Sequence, residues 1–161
     1  MIALDPIPVG DLAALSESAV PESLAGIALD GALPPAFVAA RSLEQIRSGK
    51  PEHWCSTFYI RESDNTVVGG CGFKDAPTNG RIEIGYAVSP QRRNRGIATA
   101  AVAALASMAF ESGEVGEVLA QISELNASSA RVVQKLGFVS IGTAVNHEGE
   151  VLVQWVLRDA A

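Results

Sequence analysis

The sequence predicts a single α/β domain with a mixed, mainly antiparallel sheet, and three observations lead to that prediction. A chain of 161 residues that is 48% hydrophobic and 19% charged is typical of one globular domain with a substantial core. In the middle of the chain, short β-rich runs are joined by turn signals, as in antiparallel hairpins. The apolar stretch Ile97–Phe110 has the length of a buried helix and lies between two strand-like runs.

The first third of the chain predicts short helices joined by turns. Between Asp11 and Ala40, prolines and glycines repeatedly interrupt the apolar residues. A longer helix is expected from about Pro34 to Arg47, because its apolar residues have an approximately helical spacing and Gly49 lies just beyond it. We expect this helix to form a wall or lid over the binding site.

Three strands are predicted in the middle of the chain. Cys55–Ile60 and Thr66–Phe73 are joined by a polar turn, and Arg81–Val88 follows a second turn. Because successive side chains of a strand alternate between its faces, one face of the third strand carries Arg81, Glu83, Gly85 and Ala87. Glu83 therefore shares its face with small residues that leave room beside it.

A basic, glycine-containing turn connects the third strand to the apolar helix. Its sequence is Gln91-Arg92-Arg93-Asn94-Arg95-Gly96, and the helix continues with Ile97-Ala98-Thr99. The first N–H groups of a helix lack intrahelical partners, and the helix dipole is positive at that end. Because Gly96 has no side chain and Ala98 has a small one, the backbone can approach an anion closely. This segment predicts a phosphate site.

The last third of the chain predicts a strand, a helix and a closing hairpin. Gly116–Ser123 is strand-like, and a helix from Asn126 to Leu136 begins at a good capping residue and stops at Gly137. Phe138–Val145 and Val151–Arg158 then form a hairpin across a polar turn.

Charge and cysteine content narrow the classes of function. A net charge of −6 and a pI near 4.9 argue against a broad nucleic-acid-binding surface. Cys55 and Cys71 are too few for a disulfide framework and lack metal-type spacing, so we expect a cytoplasmic protein without a metal site. Residues 1–10 do not resemble a secretory signal, and the longest apolar stretch is too short to cross a membrane.

Three segments, in the same order along the chain, resemble motifs of the GCN5-related N-acetyltransferase (GNAT) superfamily. Arg93-Asn94-Arg95-Gly96-Ile97-Ala98 is similar to its [RQ]-x-x-G-x-[GA] acyl-CoA motif, and the preceding segment 82–90 resembles its central strand. Asn126-Ala127-Ser128-Ser129, followed by Lys135-Leu136-Gly137-Phe138, is similar to its N-x-x-S and K-x-G-F segments. The resemblance covers about residues 55–158 and is nearest to the branch of ribosomal-protein N-terminal acetyltransferases.

The resemblance implies a GNAT-like sheet of six to seven strands with a splayed central strand pair. Residues 1–161 would form one acetyltransferase domain, with 1–54 as a helical segment on the acceptor side and 55–158 as the sheet and acyl-CoA core. The cosubstrate would be acetyl-CoA. The residues implied to bind it are Val88, Arg93, Asn94, Arg95, Gly96, Ile97, Ala98, Thr99 and Asn126. Arg131 and Lys135 lie either near its nucleotide end or on a solvated helix face.

The resemblance also implies direct transfer of the acetyl group to an amine that is neutral when it attacks, so a base must take a proton. Glu83 lies where several relatives place this base. The alternative is an ordinary strand carboxylate that pairs with a neighbour such as Arg81. Many relatives carry a tyrosine that protonates the thiolate, but this chain has Val133 at that position. Ser129 is a possible substitute, although both Asn126 and Ser129 are equally compatible with helix capping.

Other nucleophiles and metal ligands are weakly indicated. Cys71 has no base nearby in sequence, and His53 and His147 lack a third ligand or a triad partner. We therefore expect structural or solvent-exposed roles for all three residues. The small residues at 69–72 leave open an acyl group longer than acetyl.

The prediction is therefore an acetyl-CoA-dependent N-acetyltransferase that acts on a primary amine of a small molecule or of a peptide or protein N-terminus. The alternative is a non-enzymatic acyl-CoA-binding or regulatory module, which Val133 favours. The negative net charge suggests a cationic acceptor, and segment 24–41 is expected to select it. A homodimer through the edge of the C-terminal hairpin is possible.

Overall fold

The computed structural model describes residues 1–160, which form a seven-stranded sheet flanked by five helices. The strands are β1 (Ile2–Pro6), β2 (Thr57–Glu62), β3 (Val67–Phe73), β4 (Arg81–Val88), β5 (Glu117–Ser123), β6 (Val139–Val145) and β7 (Val151–Arg158). The helices are α1 (Val9–Ser16), α2 (Ala36–Arg47), α3 (Glu52–Cys55), α4 (Ile97–Glu111) and α5 (Ala127–Lys135). The strand order is β1-β2-β3-β4-β5-β7-β6, with β4 and β5 parallel and the other neighbours antiparallel. The predicted fold class is confirmed.

The two faces of the sheet are covered by different helices. Ile82 and Ile84 of β4 pack with Val102 and Leu105 of α4 in the larger hydrophobic core. On the opposite face, Tyr59 of β2 belongs to a smaller core that contains residues of α1 and α2. The strand alternation described above sets this division, because directly paired residues of neighbouring strands point to the same face. Within residues 1–160, no helix has both the length and the apolar character needed to span a membrane.

The central strand pair is splayed, as the resemblance implied. β4 and β5 pair only from Arg81 to Ile84 on one strand and from Glu117 to Ala120 on the other. Beyond these residues, β4 continues to Val88 beside β3, whereas β5 continues beside β7. The gap between the separating strands opens at the N-terminal end of α4, where the phosphate site was predicted.

Two expectations about the first third of the chain are wrong in detail. The segment 1–54 is not only helical, because Ile2–Pro6 forms the edge strand β1, paired with β2. The alternation of buried and exposed side chains in β1 covers only a few residues, with Ile2 and Leu4 packed against the larger core. The strand forms because it pairs with β2, which lies more than 50 residues away in the sequence. Cys55 ends the short helix α3 instead of beginning a strand, and β2 starts at Thr57.

Candidate functional site

A cavity of about 530 Å³ lies beside the end of β4 that has separated from β5 and extends over the N-terminal ends of α4 and α5. Its lining comes from β4, the basic turn, α4 and α5. The lining residues that carry charge are Arg92, Arg93, Arg131 and Lys135, and no carboxylate belongs to the lining. In a protein with a net charge of −6, this local excess of positive charge favours a polyanionic ligand.

The predicted phosphate turn forms one wall of this cavity. Gly96 is the N-cap residue of α4 and has a φ of +78°, a left-handed conformation that glycine adopts without steric cost. Asn94 also has a positive φ, of +62°. No side chain caps α4, and its first intrahelical bond is donated by Ala100 N–H to Gly96 O. The N–H groups of Ile97, Ala98 and Thr99 therefore have no intrahelical partner and lie beside the cavity. Free N–H groups of this kind bind phosphate at helix N-termini.

The arginines of the turn are not equivalent. Arg92 lines the cavity, but its Nε donates to Glu62 Oε1 at 3.1 Å, so this arginine holds the turn against β2. Arg93 lines the cavity and forms no ion pair with a residue of the described part of the chain. Arg95 is exposed and does not belong to the lining, so only its backbone remains a candidate for the role expected of it. Ile97, Ala98 and Thr99 all line the cavity.

Val88 offers backbone groups to the gap. Ser89 N–H donates to Val68 O of β3, and hydrogen-bonding directions alternate from one residue to the next along a strand. The N–H and C=O of Val88 therefore point away from β3, toward the opening between β4 and β5. Val88 also lines the large cavity. The Val88 N–H and C=O are therefore candidates for hydrogen bonds to an extended ligand.

α5 closes the other side of the cavity. Asn126 caps this helix, because its Oδ1 accepts a hydrogen bond from Ser129 N–H at 3.1 Å, and both residues line the cavity. The capping role that the sequence left open for Asn126 is thus present in the structure. Val133 is completely buried in the larger core, with 0% of its surface exposed. It offers neither a proton nor access to the gap.

Tyr86 is a functional candidate that the sequence did not indicate. Its hydroxyl donates to Ser129 O at 3.0 Å, one helical turn before Val133. Burial raises the pKa of this phenol to about 12, so it stays protonated at neutral pH. Tyr86 lies beyond the last β4–β5 pair and lines the large cavity. Its position near the end of the third predicted strand, just before the basic turn, was the feature of the sequence that could have indicated this residue.

Glu83 lies on the opposite face of β4 from this cavity. Its carboxylate accepts hydrogen bonds from Lys74 Nζ at 2.7 Å and from Gln121 Nε2 at 3.2 Å. The suggested pairing with Arg81 is wrong, because Arg81 binds Glu117, its partner in the β4–β5 register. Glu83 stands four residues from Ala87, about 13 Å along an extended strand. It lines an open cavity of about 510 Å³ together with Lys74.

A smaller cavity of about 230 Å³ lies on the same face as Glu83. It is enclosed by β3, β4, the loop before α2, and α2 itself. Tyr86 and Ala87 line both this cavity and the large one, so this part of β4, beyond its last pair with β5, borders both spaces.

The remaining nucleophiles and metal ligands do not form a second centre. Burial raises the pKa of the Cys71 thiol to about 12, which keeps it protonated and makes it a poor nucleophile. His53 is exposed, 3.8 Å from Glu114, and His147 is exposed in the β6–β7 turn. Among residues 1–160, no three His, Cys, Asp or Glu side chains are grouped as metal ligands.

Comparison with known sequences identifies relatives of this chain. The sequence model of the acetyltransferase (GNAT) domain matches residues 4–139. An uncharacterized N-acetyltransferase of Bacillus subtilis, YjdG, is 29% identical over 102 residues, which are 63% of this chain. The matched part spans 58% of that relative's own length.

Solved structures share the fold at low sequence identity. The ribosomal-protein-S5-alanine acetyltransferase of Vibrio fischeri superimposes with a TM-score of 0.70 at 15% identity, over 99% of this chain and 93% of that one. RimJ of Mycobacterium smegmatis, in complex with CoA-disulfide, gives a TM-score of 0.69 at 20% identity, over 98% of this chain and 81% of that one.

Proposed function

Because this chain belongs to the acetyltransferase (GNAT) domain family, we propose that it transfers an acetyl group from acetyl-CoA directly to a primary amine. The main observation behind the proposal is the large cavity, which combines four cationic side chains, no carboxylate and an uncapped helix N-terminus. These features suit the phosphates of a coenzyme A molecule. The structure of the Mycobacterium relative with CoA-disulfide adds support for the same class of ligand.

The proposed binding roles follow the position of each residue. The backbone from Asn94 to Thr99 binds the pyrophosphate, with Arg93, Arg131 and Lys135 supplying positive charge. Val88 pairs through its main chain with the extended arm of the cosubstrate in the β4–β5 gap. Asn126 lines the cavity beside this arm while it caps α5.

The transfer requires two proton movements. As the amine nitrogen bonds to the acetyl carbon, the carbon–sulfur bond breaks, the nitrogen loses a proton, and the thiolate gains one. We propose that Glu83 takes the amine proton through a chain of several water molecules. It lies on the same face of β4 as the smaller cavity, and its distance of about 13 Å along the strand from Ala87 excludes direct contact. For the thiolate, the candidates are the Tyr86 hydroxyl and Ser129, the substitute suggested by the sequence. Tyr86 is preferred because it lines both cavities, whereas Ser129 lines only the large one.

A non-enzymatic acyl-CoA-binding module remains the second candidate. The buried Val133, in place of the proton-donating tyrosine that the resemblance implies, favours it. The two candidates differ in one measurable property, since the module binds acetyl-CoA but does not release CoA in the presence of amines.

We further propose a cytoplasmic location and a homodimer. Cys55 and Cys71 are both free and buried, as suits a reducing compartment. Strand β6 is one of the two edges of the sheet and carries exposed apolar side chains at Val139, Ile141 and Val145. An edge of this kind is able to pair with a second copy, and sedimentation of the purified protein tests it.

Calorimetric titration with acetyl-CoA tests the cofactor assignment without knowledge of the acceptor. We expect binding that weakens at least tenfold in Gly96→Asp, because a side chain at a left-handed φ and a carboxylate would both disturb the phosphate site. Gly149→Asp is the matched control, since Gly149 has a φ of +81° in an exposed turn far along the chain. Dephospho-CoA shows whether the 3′-phosphate contributes. Equal binding by wild type and Gly96→Asp would contradict the assignment.

A further inference from the structure

The smaller cavity has a floor of glycine backbone. Gly70 and Gly72 of β3 pair with Ala87 and Gly85 of β4, and all four point toward the same face of the sheet. A Cβ at Gly72 would lie 2.7 Å from Ser56 O, and one at Gly70 would lie 3.3 Å from Pro34 Cγ. A side chain at Gly72 would therefore clash with the Ser56 backbone, and one at Gly70 would crowd Pro34.

The walls of this cavity are largely apolar. They come from the loop before α2 and from its first turns, including Leu33, Pro34 and Val38. Phe37 also lines the cavity, yet 70% of its surface is exposed. An aromatic ring this exposed at the mouth of a cavity is available to cover an apolar ligand group. The space suits a branched aliphatic or a small aromatic side chain.

The charged residues that line the cavity are Arg41 and Lys74, and no carboxylate joins them. Lys74 is already paired with Glu83. Arg41, on α2, forms no ion pair with the residues described. The pKa of the nearby Asp75 carboxyl is held below its usual value mainly by its hydrogen bond from Lys50, and only weakly by Arg41. The Arg41 guanidinium thus remains free to bind a ligand carboxylate in its two-pronged geometry.

From this arrangement we propose that the acceptor is a small amine that also carries an apolar side chain and a carboxylate, in other words an apolar α-amino acid. The proposal rests on the acetyl-transfer function proposed above. The side chain occupies the apolar cavity, the carboxylate binds Arg41, and the amine lies at Tyr86 and Ala87, which line both cavities. Polyamines lack the carboxylate and would bring positive charge to Arg41 and Lys74.

This class differs from the cationic acceptor that the net charge suggested. The net charge of −6 acts on a ligand at long range, where salt screens it. Within the cavity, contact with Arg41 dominates, because partly buried charges are screened much less. The local lining therefore decides which amine binds.

A matched set of acceptors tests the proposal. Release of CoA is measured with L-leucine, L-leucinamide and spermidine, using wild type, Arg41→Gln and Arg47→Gln. Arg47 is the control because it lies on the same helix, is exposed and does not line the cavity. We expect kcat/KM for leucine to fall at least tenfold in Arg41→Gln and to stay within twofold for leucinamide. In Arg47→Gln both acceptors should behave as in wild type.

Comparing the variants cancels the different amine basicities of leucine and leucinamide. Equal losses for the two acceptors in Arg41→Gln would overturn the carboxylate assignment. Preferred acetylation of spermidine would overturn the acceptor class while supporting acetyl transfer.

A binding measurement separates the acceptor proposal from the proposed function. In the presence of CoA, N-acetyl-L-leucine is titrated into wild type and into Arg41→Gln. Binding that weakens at least tenfold in Arg41→Gln supports the acceptor site. If no amine is acetylated in the same preparation, that result counts against the proposed acetyl transfer but not against the acceptor site. Failure of N-acetyl-L-leucine to bind the wild type would overturn the acceptor proposal.

Discussion

The Tyr86 hydroxyl links the central strand to α5 through a hydrogen bond to Ser129 O. Position 133 of α5 is a valine and not a tyrosine. A phenol nevertheless contacts α5, because the Tyr86 hydroxyl binds at Ser129, one helical turn before Val133. Burial raises the pKa of this phenol to about 12, so the hydroxyl is protonated at neutral pH but is a weaker acid than that of an exposed tyrosine. At the residue scale, the proposed donation to the leaving thiolate therefore depends on the position of the hydroxyl and not on its acidity.

Replacement of Tyr86 by Phe should therefore lower kcat at least tenfold, since positioned proton donors typically contribute about 10² to 10⁴ in rate. The KM for acetyl-CoA should change little, because the ring remains in place. Ser129→Ala is the comparison and should have a smaller effect on kcat. Steady-state release of CoA from both variants measures the difference, and a wild-type kcat in Tyr86→Phe would exclude the hydroxyl from the mechanism.

Glu83 should act on turnover and not on cosubstrate binding. Its hydrogen bonds run to Lys74 and Gln121 on the face of β4 opposite the large cavity. In Glu83→Gln we expect a lower kcat with nearly unchanged affinity for acetyl-CoA. The readouts are a pH profile of kcat and a calorimetric titration. Wild-type turnover at every pH would remove Glu83 from the mechanism.

At the scale of the elements, the basic turn before α4 and the Asn126 cap of α5 position most of the residues of the proposed cofactor site. The basic turn brings the N-terminal end of α4 to the gap, and the Asn126 cap does the same for α5. Two helix ends therefore converge on one cavity, so their dipoles act on the same ligand. Because both ends are specified by local residues, the sequence was sufficient to predict them.

The α5 cap makes a testable contribution to stability. Asn126→Ala removes the acceptor for Ser129 N–H and should cost about 1 kcal/mol of unfolding free energy. Asn126→Asp retains a side-chain acceptor and should preserve most of that stability. Urea unfolding of the two variants provides the test, and equal losses in both would contradict the capping role.

Other elements show where sequence patterns reach their limit. β1 was missed because its five residues are short for a strand and its pairing partner β2 lies more than 50 residues away. Cys55 was placed in a strand because it precedes a β-rich run, yet it ends the short helix α3. In each case, the deciding contacts are made with distant parts of the chain, which a local pattern does not contain.

At the scale of the whole molecule, the sheet buries several groups that titrate at alkaline pH. Burial raises the pKa of Cys71 from 9.0 and that of Tyr86 from 10.0 to about 12 in each case. The pKa of Tyr59 also lies well above its usual value, through burial and its hydrogen bond to Asp11. The folded protein thus keeps protons that the unfolded chain loses first.

Stability should accordingly fall as the pH rises. These groups stabilise the fold fully below their unfolded pKa values, and this contribution is lost progressively from about pH 9 toward pH 12. Urea unfolding at about pH 7.5, 9.5 and 10.5 measures the decline. In Cys71→Ala the slope with pH should be shallower, because one of the titrating groups is gone. A stability that is flat between about pH 9 and pH 10.5 would contradict this account.

The lining of the smaller cavity could be identified only from the tertiary structure. The net charge of −6 pointed to a cationic amine, whereas the folded chain brings Arg41 and Lys74 to an apolar cavity without a carboxylate. Arg41 belongs to α2 and Lys74 directly follows β3, and nothing in the sequence between them indicates that they line one cavity. Packing of α2 against the sheet creates this arrangement.

The sequence was sufficient for the type and order of the elements from β2 to β7, for the phosphate turn at Gly96 and for the cap at Asn126. These features depend on side-chain alternation, backbone conformation and capping, which act over a few neighbouring residues. The contacts of Tyr86 with Ser129, Glu83 with Lys74, and Arg92 with Glu62 became visible only in the folded chain. They join separate elements, and their partners depend on strand register and helix packing, because the interior brings together residues that no local rule connects.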